Sequence, residues 1–125
     1  MSASAKTILI VEDNELNMRL FNDVLQAVGY QTLQTGDGTE AVELAERHRP
    51  DLILMDMRLP GISGMEATHL IKERPELSHI PIVAVTASAL KGDEERILAG
   101  GCDGFIAKPI SIPSFLATVA QFLET

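Results

Sequence analysis

With 125 residues, 46% of them hydrophobic, the chain has enough apolar surface for one core-bearing domain without disulfide or metal staples. Its 18 acids against 10 lysines and arginines leave a formal charge of −8, which opposes binding to a nucleic-acid backbone or to anionic lipid. The lone Cys102 cannot close an intrachain disulfide and reads as a small packed thiol in a reducing cytosol.

Met1 to Lys6 is a short polar tail without the apolar stretch of a signal peptide. No apolar run approaches the roughly 18 residues that a membrane span requires. Thr7 to Val11 reads as a first strand, and Leu16, Leu20, Phe21, Val24, Leu25 and Val28 then fall at helical spacing. Asn14 is the candidate N-cap of that helix and Gly29 its stop. Tyr30 to Thr35 reads as a second strand and Gly36-Asp37-Gly38-Thr39 as a turn. Ala41, Val42 and Ala45 mark the buried face of a second helix, closed before Pro50. Asp51 to Asp56 is the third strand, Leu59 to Gly64 a loop, and Met65, Leu70 and Ile71 belong to a third helix ending before Pro75. Ile82 to Thr86 is the fourth strand, followed by a charged helix from about Ala89 to Ala99 with Gly92 in its first turns. That helix reads either as a solvated face or as a marginally stable element free to shift. Phe105 to Ala107 is the fifth strand, and Ser111 opens a last helix bearing Phe115, Leu116, Val119, Phe122 and Leu123 on one face.

Five strand-helix units with short connections predict a doubly wound α/β fold with right-handed crossovers. Strands that are apolar throughout predict a parallel sheet covered on both faces. The five units occupy residues 7–125, so a single domain without an output module is expected.

Polar residues then stand out at the carboxyl ends of four strands: Glu12-Asp13, Asp56, Thr86 and Lys108. Each alone has a plain explanation, the acids as helix caps or turn residues, the threonine as structure, the lysine as a solvated charge. A buried carboxylate adds nothing to packing and is costly to desolvate. Adjacent ends of a parallel sheet would bring all of these groups into one crevice, where open α/β folds hold ligands. Acids gathered without Cys or His are hard oxygen donors suited to Mg²⁺, which makes a metal-dependent phosphate site the first reading.

The set Glu12-Asp13, Asp56, Thr86 and Lys108-Pro109 resembles the receiver domain of two-component response regulators over essentially the whole chain. The resemblance implies a flavodoxin-like sheet of order 2-1-3-4-5 and a stand-alone regulator in a phosphorelay, with cell-cycle or division control as its setting. It implies Asp56 as phosphoacceptor, with Mg²⁺ held by Glu12, Asp13, Asp56 and the backbone carbonyl of Arg58. Lys108 and Thr86 would each take a phosphoryl oxygen, Thr86 and Phe105 would form the switch, and a cis peptide is expected at Lys108-Pro109. Arg58 and Ser88 would control access of the hydrolytic water. The implied partners are a histidine kinase or histidine phosphotransferase, and a downstream protein on the fourth helix, fifth strand and fifth helix. Neither nucleic acid nor membrane insertion is expected. The chain would act as a cytoplasmic monomer, recruited to cell poles by a partner, and would catalyse only its own phosphorylation and dephosphorylation.

Three other readings stay open. A haloacid-dehalogenase-type phosphatase also uses an Asp after a strand, but has a second Asp where Arg58 stands. A flavodoxin-like electron carrier needs a Ser/Thr/Gly-rich phosphate loop where Glu12-Asp13-Asn14-Glu15 stands. A receiver-like adaptor that has lost phosphorylation would lack some chemical group, and none is missing. His48, His69 and His79 show no ligand spacing and are expected in solvent.

Overall fold

The computed structural model describes residues 5–59, 61–87 and 91–123, with the backbone alone for residues 91–93. The order is β1 (Thr7–Val11), α1 (Glu15–Ala27), β2 (Gln31–Thr35), α2 (Gly38–His48), β3 (Leu52–Asp56), α3 (Gly64–Lys72), β4 (Ile82–Thr86), α4 (Lys91–Ala99), β5 (Gly104–Ala107) and α5 (Ile112–Leu123). All strand pairs are parallel and the sheet order is β2-β1-β3-β4-β5, the predicted topology.

Strand periodicity divides the core in two, because successive side chains point to opposite faces. Leu9, Val11, Ile53, Met55, Ile82 and Ala84 face one way, against Ala41, Ala45, Ala67, Ile71 and Ile97 of α2, α3 and α4. Ile8, Ile10, Leu52, Leu54, Val83 and Val85 face the other, against Phe21 and Leu25 of α1 and Phe115, Val119 and Leu123 of α5. Phe21 and Phe115 stack with ring centroids 5.2 Å apart, locking α1 to α5.

Local signals set most of the boundaries. Asn14 accepts from Asn17 N at 3.0 Å and caps α1, so Asp13 is not spent on the cap. Gly29 follows with φ 101, the left-handed geometry that ends a helix. Tyr30 belongs to that closure rather than to β2, since its N–H returns to Leu25 O at 3.1 Å. Gly38 and Thr39 are helix rather than turn, because Asp37 takes Thr39 N and Glu40 N and opens α2 there. Asp51 lies outside β3, its carboxylate accepting from Thr7 N at 2.8 Å. Of the expected apolar face of α1, Phe21 and Leu25 are buried, whereas Leu16 is 78% exposed and Leu20 and Val28 are exposed too. Leu70 is likewise exposed on α3. Ala89 and Leu90, placed in the fourth helix by sequence, lie outside the described residues, as does Ser88. No helix among the described residues is long and apolar enough to cross a membrane.

Candidate functional site

The carboxyl edge gathers the predicted polar residues through strand register. Asp56 ends β3 opposite Val85 of β4, and Thr86 ends β4 opposite Ala107 of β5, one residue before Lys108. Glu12 and Asp13 leave β1, whose register with β3 places Val11 beside Met55. The result is a cavity of about 320 Å³ lined by Glu12, Asp13, Asn14, Asn17, Asp56, Arg58, Ala87 and Lys108.

Burial and charge define its character. Glu12 and Asp56 are only 3% and 5% exposed, and Asp13 is open to solvent. Lys108 Nζ stands 3.3 Å from Glu12 Oε1 and 3.6 Å from Asp56 Oδ2. One ammonium thus serves two nearly buried acids. Asp56 Oδ1 accepts from Arg58 N at 3.0 Å and Glu12 Oε2 from Asn14 N at 3.1 Å, which fixes both carboxylates from their own chain segments. Lys108 N donates to Thr86 O at 2.8 Å, joining the ends of β4 and β5. The Lys108-Pro109 bond is cis, as anticipated.

Glu12 carries the signature of an incomplete site. Its Oε1 is the buried side-chain oxygen without a hydrogen-bond partner among the described residues. Lys108 lies within ion-pair distance of this oxygen without forming a hydrogen bond to it, so the lone pair is left without a donor. Burial pushes the Glu12 carboxyl up to about 7, the Asp56 carboxylate adds to the effect, and Asn14 N–H and Lys108 oppose it. Oxygens of Glu12, Asp13 and Asp56 come within 4.8 Å of one another. Three hard donors, one of them buried and unsatisfied, fit a divalent cation of the Mg²⁺ type.

The raised Glu12 value has a sign that can be measured. The folded chain holds the proton to about pH 7, whereas the unfolded chain releases it near 4.5. Between those values the folded state binds more protons, so metal-free stability falls as pH rises, by on the order of 3 kcal/mol in all. Melts in EDTA should show wild type losing stability relative to Glu12→Gln from pH 5 to 7. A gap between the two proteins that stays flat contradicts the burial effect.

Thr86 is buried at its strand end, and the next residue, Ala87, lines the cavity. Phe105 lies two residues before Ala107, half-buried and packed against the α2–α4 side of the core. The Arg58 side chain is exposed, and so are His48, His69 and His79, His69 pairing with Glu73 at 3.1 Å. Cys102 is buried near Thr68 Oγ1, its thiol pushed up by desolvation, which suits an inert packing role.

Gly64 is the residue that sequence reasoning passed over. It opens α3 against the end of β3, where a Cβ would lie 2.2 Å from Asp56 O and 2.8 Å from Met57 Cα. Ser63 and Glu66 form a reciprocal capping box that sets the helix start at this contact. The Ser-x-x-Glu spacing was the available signal.

A family profile described as response regulator receiver domain matches residues 8–120. The chain belongs to that family. This receiver is 58% identical over 118 residues to the polar-differentiation response regulator DivK of Brucella anthropi, an alignment covering 94% of the chain and 96% of the relative. DivK of Brucella abortus is 57% identical over the same spans. Among solved structures, the receiver domain of a sensor histidine kinase from Pseudomonas aeruginosa PAO1 superposes with TM-score 0.90 at 37% identity, covering 98% of this chain and all of that one. That structure has a magnesium ion coordinated in its active-site cleft. A chemotaxis response regulator of Vibrio cholerae superposes with TM-score 0.91 at 25% identity, over 96% of this chain and all of that one.

Proposed function

We propose that this receiver takes a phosphoryl group onto Asp56 from a histidine kinase or histidine phosphotransferase and thereby changes its affinity for protein partners. The observation that carries the reading is Lys108 Nζ held 3.6 Å from Asp56 Oδ2 and 3.3 Å from Glu12 Oε1. A carboxylate lining the cavity with a cation beside it is a nucleophile already paired with a group for the transferred charge.

Glu12, Asp13, Asp56 and the backbone carbonyl of Arg58 would hold Mg²⁺, which when bound neutralises charge among the acids and phosphoryl oxygens. Arg58 N fixes Asp56 Oδ1 and so orients the carboxylate. An Asp56 oxygen forms the new P–O bond as the donor's P–N bond breaks. The electron pair leaves on the imidazole, which departs neutral when its other nitrogen is protonated. Lys108 then places a point charge on one phosphoryl oxygen and Thr86 donates its hydroxyl to another. Acetyl phosphate should label the chain as a hydroxylamine-labile phosphoprotein, and only with Mg²⁺ present. Equal labelling in EDTA ends the proposal.

The Lys108 N to Thr86 O bond couples the two strand ends, so a pull on either side chain reaches both. Phe105, inside β5, is the ring such a movement would disturb, and α4, β5 and α5 form the surface that reads it. For Thr86→Ala and Lys108→Ala we expect labelled protein with partner affinity at least tenfold below that of labelled wild type. Undiminished affinity in the labelled variants contradicts the coupling. The relatives' name, a polar-differentiation response regulator, supports recruitment to cell poles and a part in division control, and we take the acting form to be a cytoplasmic monomer. The −8 charge supports an output through protein contact rather than DNA or membrane.

A further inference from the structure

The backbone of Glu12 and Asp13 is supported from outside the crevice, by the connection between β2 and α2. Glu12 N donates to Thr35 O at 2.9 Å. The next residue, Gly36, lies so close that a Cβ on it would stand 3.3 Å from Asp13 Cα and 3.5 Å from Glu12 O. These are backbone atoms, which cannot turn aside. Thr35 is itself tied down. It is 5% exposed, its hydroxyl donates to Glu40 Oε1, and the same oxygen accepts from Asp37 N at 3.2 Å. Asp37 is the N-cap of α2, and Glu40 lies in the first turn of that helix. Through its carbonyl and its hydroxyl, Thr35 therefore joins the acid pair to the start of a helix.

We infer that Thr35, Gly36 and Glu40 are positioning residues for the cation site, setting the backbone from which Glu12 and Asp13 present their carboxylates. The inference rests on the reading of those two acids as cation ligands. A threonine at a strand end has an ordinary structural use, and its hydroxyl could serve the turn alone. What separates this one is its carbonyl, spent on the N–H of the residue whose buried Oε1 lacks a donor. Mg²⁺ demands near-ideal octahedral geometry, so shifts of a few tenths of an ångström at this backbone weaken binding before they unfold the chain. Groups that orient ligands typically cost about 10- to 100-fold in metal affinity when removed.

Calorimetric titration with Mg²⁺, paired with thermal melts in EDTA, tests the inference. Thr35→Val and Gly36→Ala should each bind Mg²⁺ about tenfold more weakly than wild type. Thr35→Ser, which keeps the hydroxyl, should restore wild-type affinity. Glu40→Gln keeps an acceptor at an exposed position and should fall between wild type and Thr35→Val; because it leaves the core untouched, it remains informative if the other variants fold poorly. A purely structural role would lower the melting temperature in EDTA and leave Mg²⁺ affinity within twofold of wild type, and that pattern overturns the inference. A wild type that takes up no Mg²⁺ at millimolar concentration is a different failure, removing the cation reading itself and this inference with it.

Discussion

Asp56→Asn protein should take up no phosphoryl group from acetyl phosphate and should melt at a higher temperature than wild type in EDTA. The two effects share one cause. The amide has nearly the shape of the carboxylate and keeps an oxygen for Arg58 N, which donates to Asp56 Oδ1 at 3.0 Å. It has no anionic oxygen to attack phosphorus, so labelling falls to background rather than to a fraction. The same change removes one of two nearly buried acids that share Lys108. Glu12, whose carboxyl is pushed up by burial and then by Asp56, is left in a one-to-one pair. Relief of that repulsion is worth on the order of 1 kcal/mol, a few degrees in melting temperature for a chain of this size. Phosphorylation measured by mass and unfolding measured by circular dichroism read the two effects separately. Label retained in the variant would show that another residue accepts the phosphoryl group. A fall in melting temperature would show that Asp56 stabilises its surroundings more than it strains them.

The chemical groups of this site were legible because strand ends are. An apolar run that stops at an acid, a threonine or a lysine announces both its direction and its edge, and parallel pairing then brings Asp56, Thr86 and Lys108 to one side without further information. Helix faces were less legible. The spacing of Leu16, Leu20 and Val28 fits the stripe that buries Phe21 and Leu25, yet those three lie in solvent, because α1 meets the sheet over a narrower arc than its apolar residues span. Spacing shows which residues could share a face and not how wide the contact is. Least legible were the supports of the site. Thr35 ends β2 and Gly36 follows it, far along the chain from Glu12 and Asp13, and the bond from Glu12 N to Thr35 O exists only once β1 and β2 pair. Gly64 read as a loop glycine because its close approach to Asp56 O is a meeting of separate backbone segments, which leaves no trace in local composition.

That approach leads to the second large effect expected. Gly64→Ala places a methyl group 2.2 Å from Asp56 O, 2.8 Å from Met57 Cα and 2.9 Å from Asp56 C. All three are main-chain atoms of the segment that carries Asp56, so no rotamer change relieves the overlap. Either α3 retreats from the sheet, or the Asp56–Met57 peptide shifts. Retreat breaks the contacts of Ala67 and Ile71 with the α2–α4 side of the core, and overpacking of this kind typically costs about 1–3 kcal/mol or more. A shift of the peptide moves Asp56 relative to Lys108 and Glu12, and a misplacement near 1 Å can cost on the order of 100-fold in rate. We expect the melting temperature to fall by about 5–10 °C and the acetyl phosphate labelling rate to fall at least about tenfold. Gly61→Ala supplies the control. Gly61 has φ 75 and, among the described residues beyond its chain neighbours, no atom within 4 Å of an added Cβ, so alanine there strains its own backbone and touches none of the described site residues. It should cost about 1 kcal/mol of stability and label at the wild-type rate. If Gly64→Ala instead behaves like Gly61→Ala, losing stability while labelling normally, then α3 yields without moving Asp56 and the glycine serves packing alone. Loss of labelling beyond what the stability loss explains would make Gly64 the point where the start of a helix sets the position of Asp56.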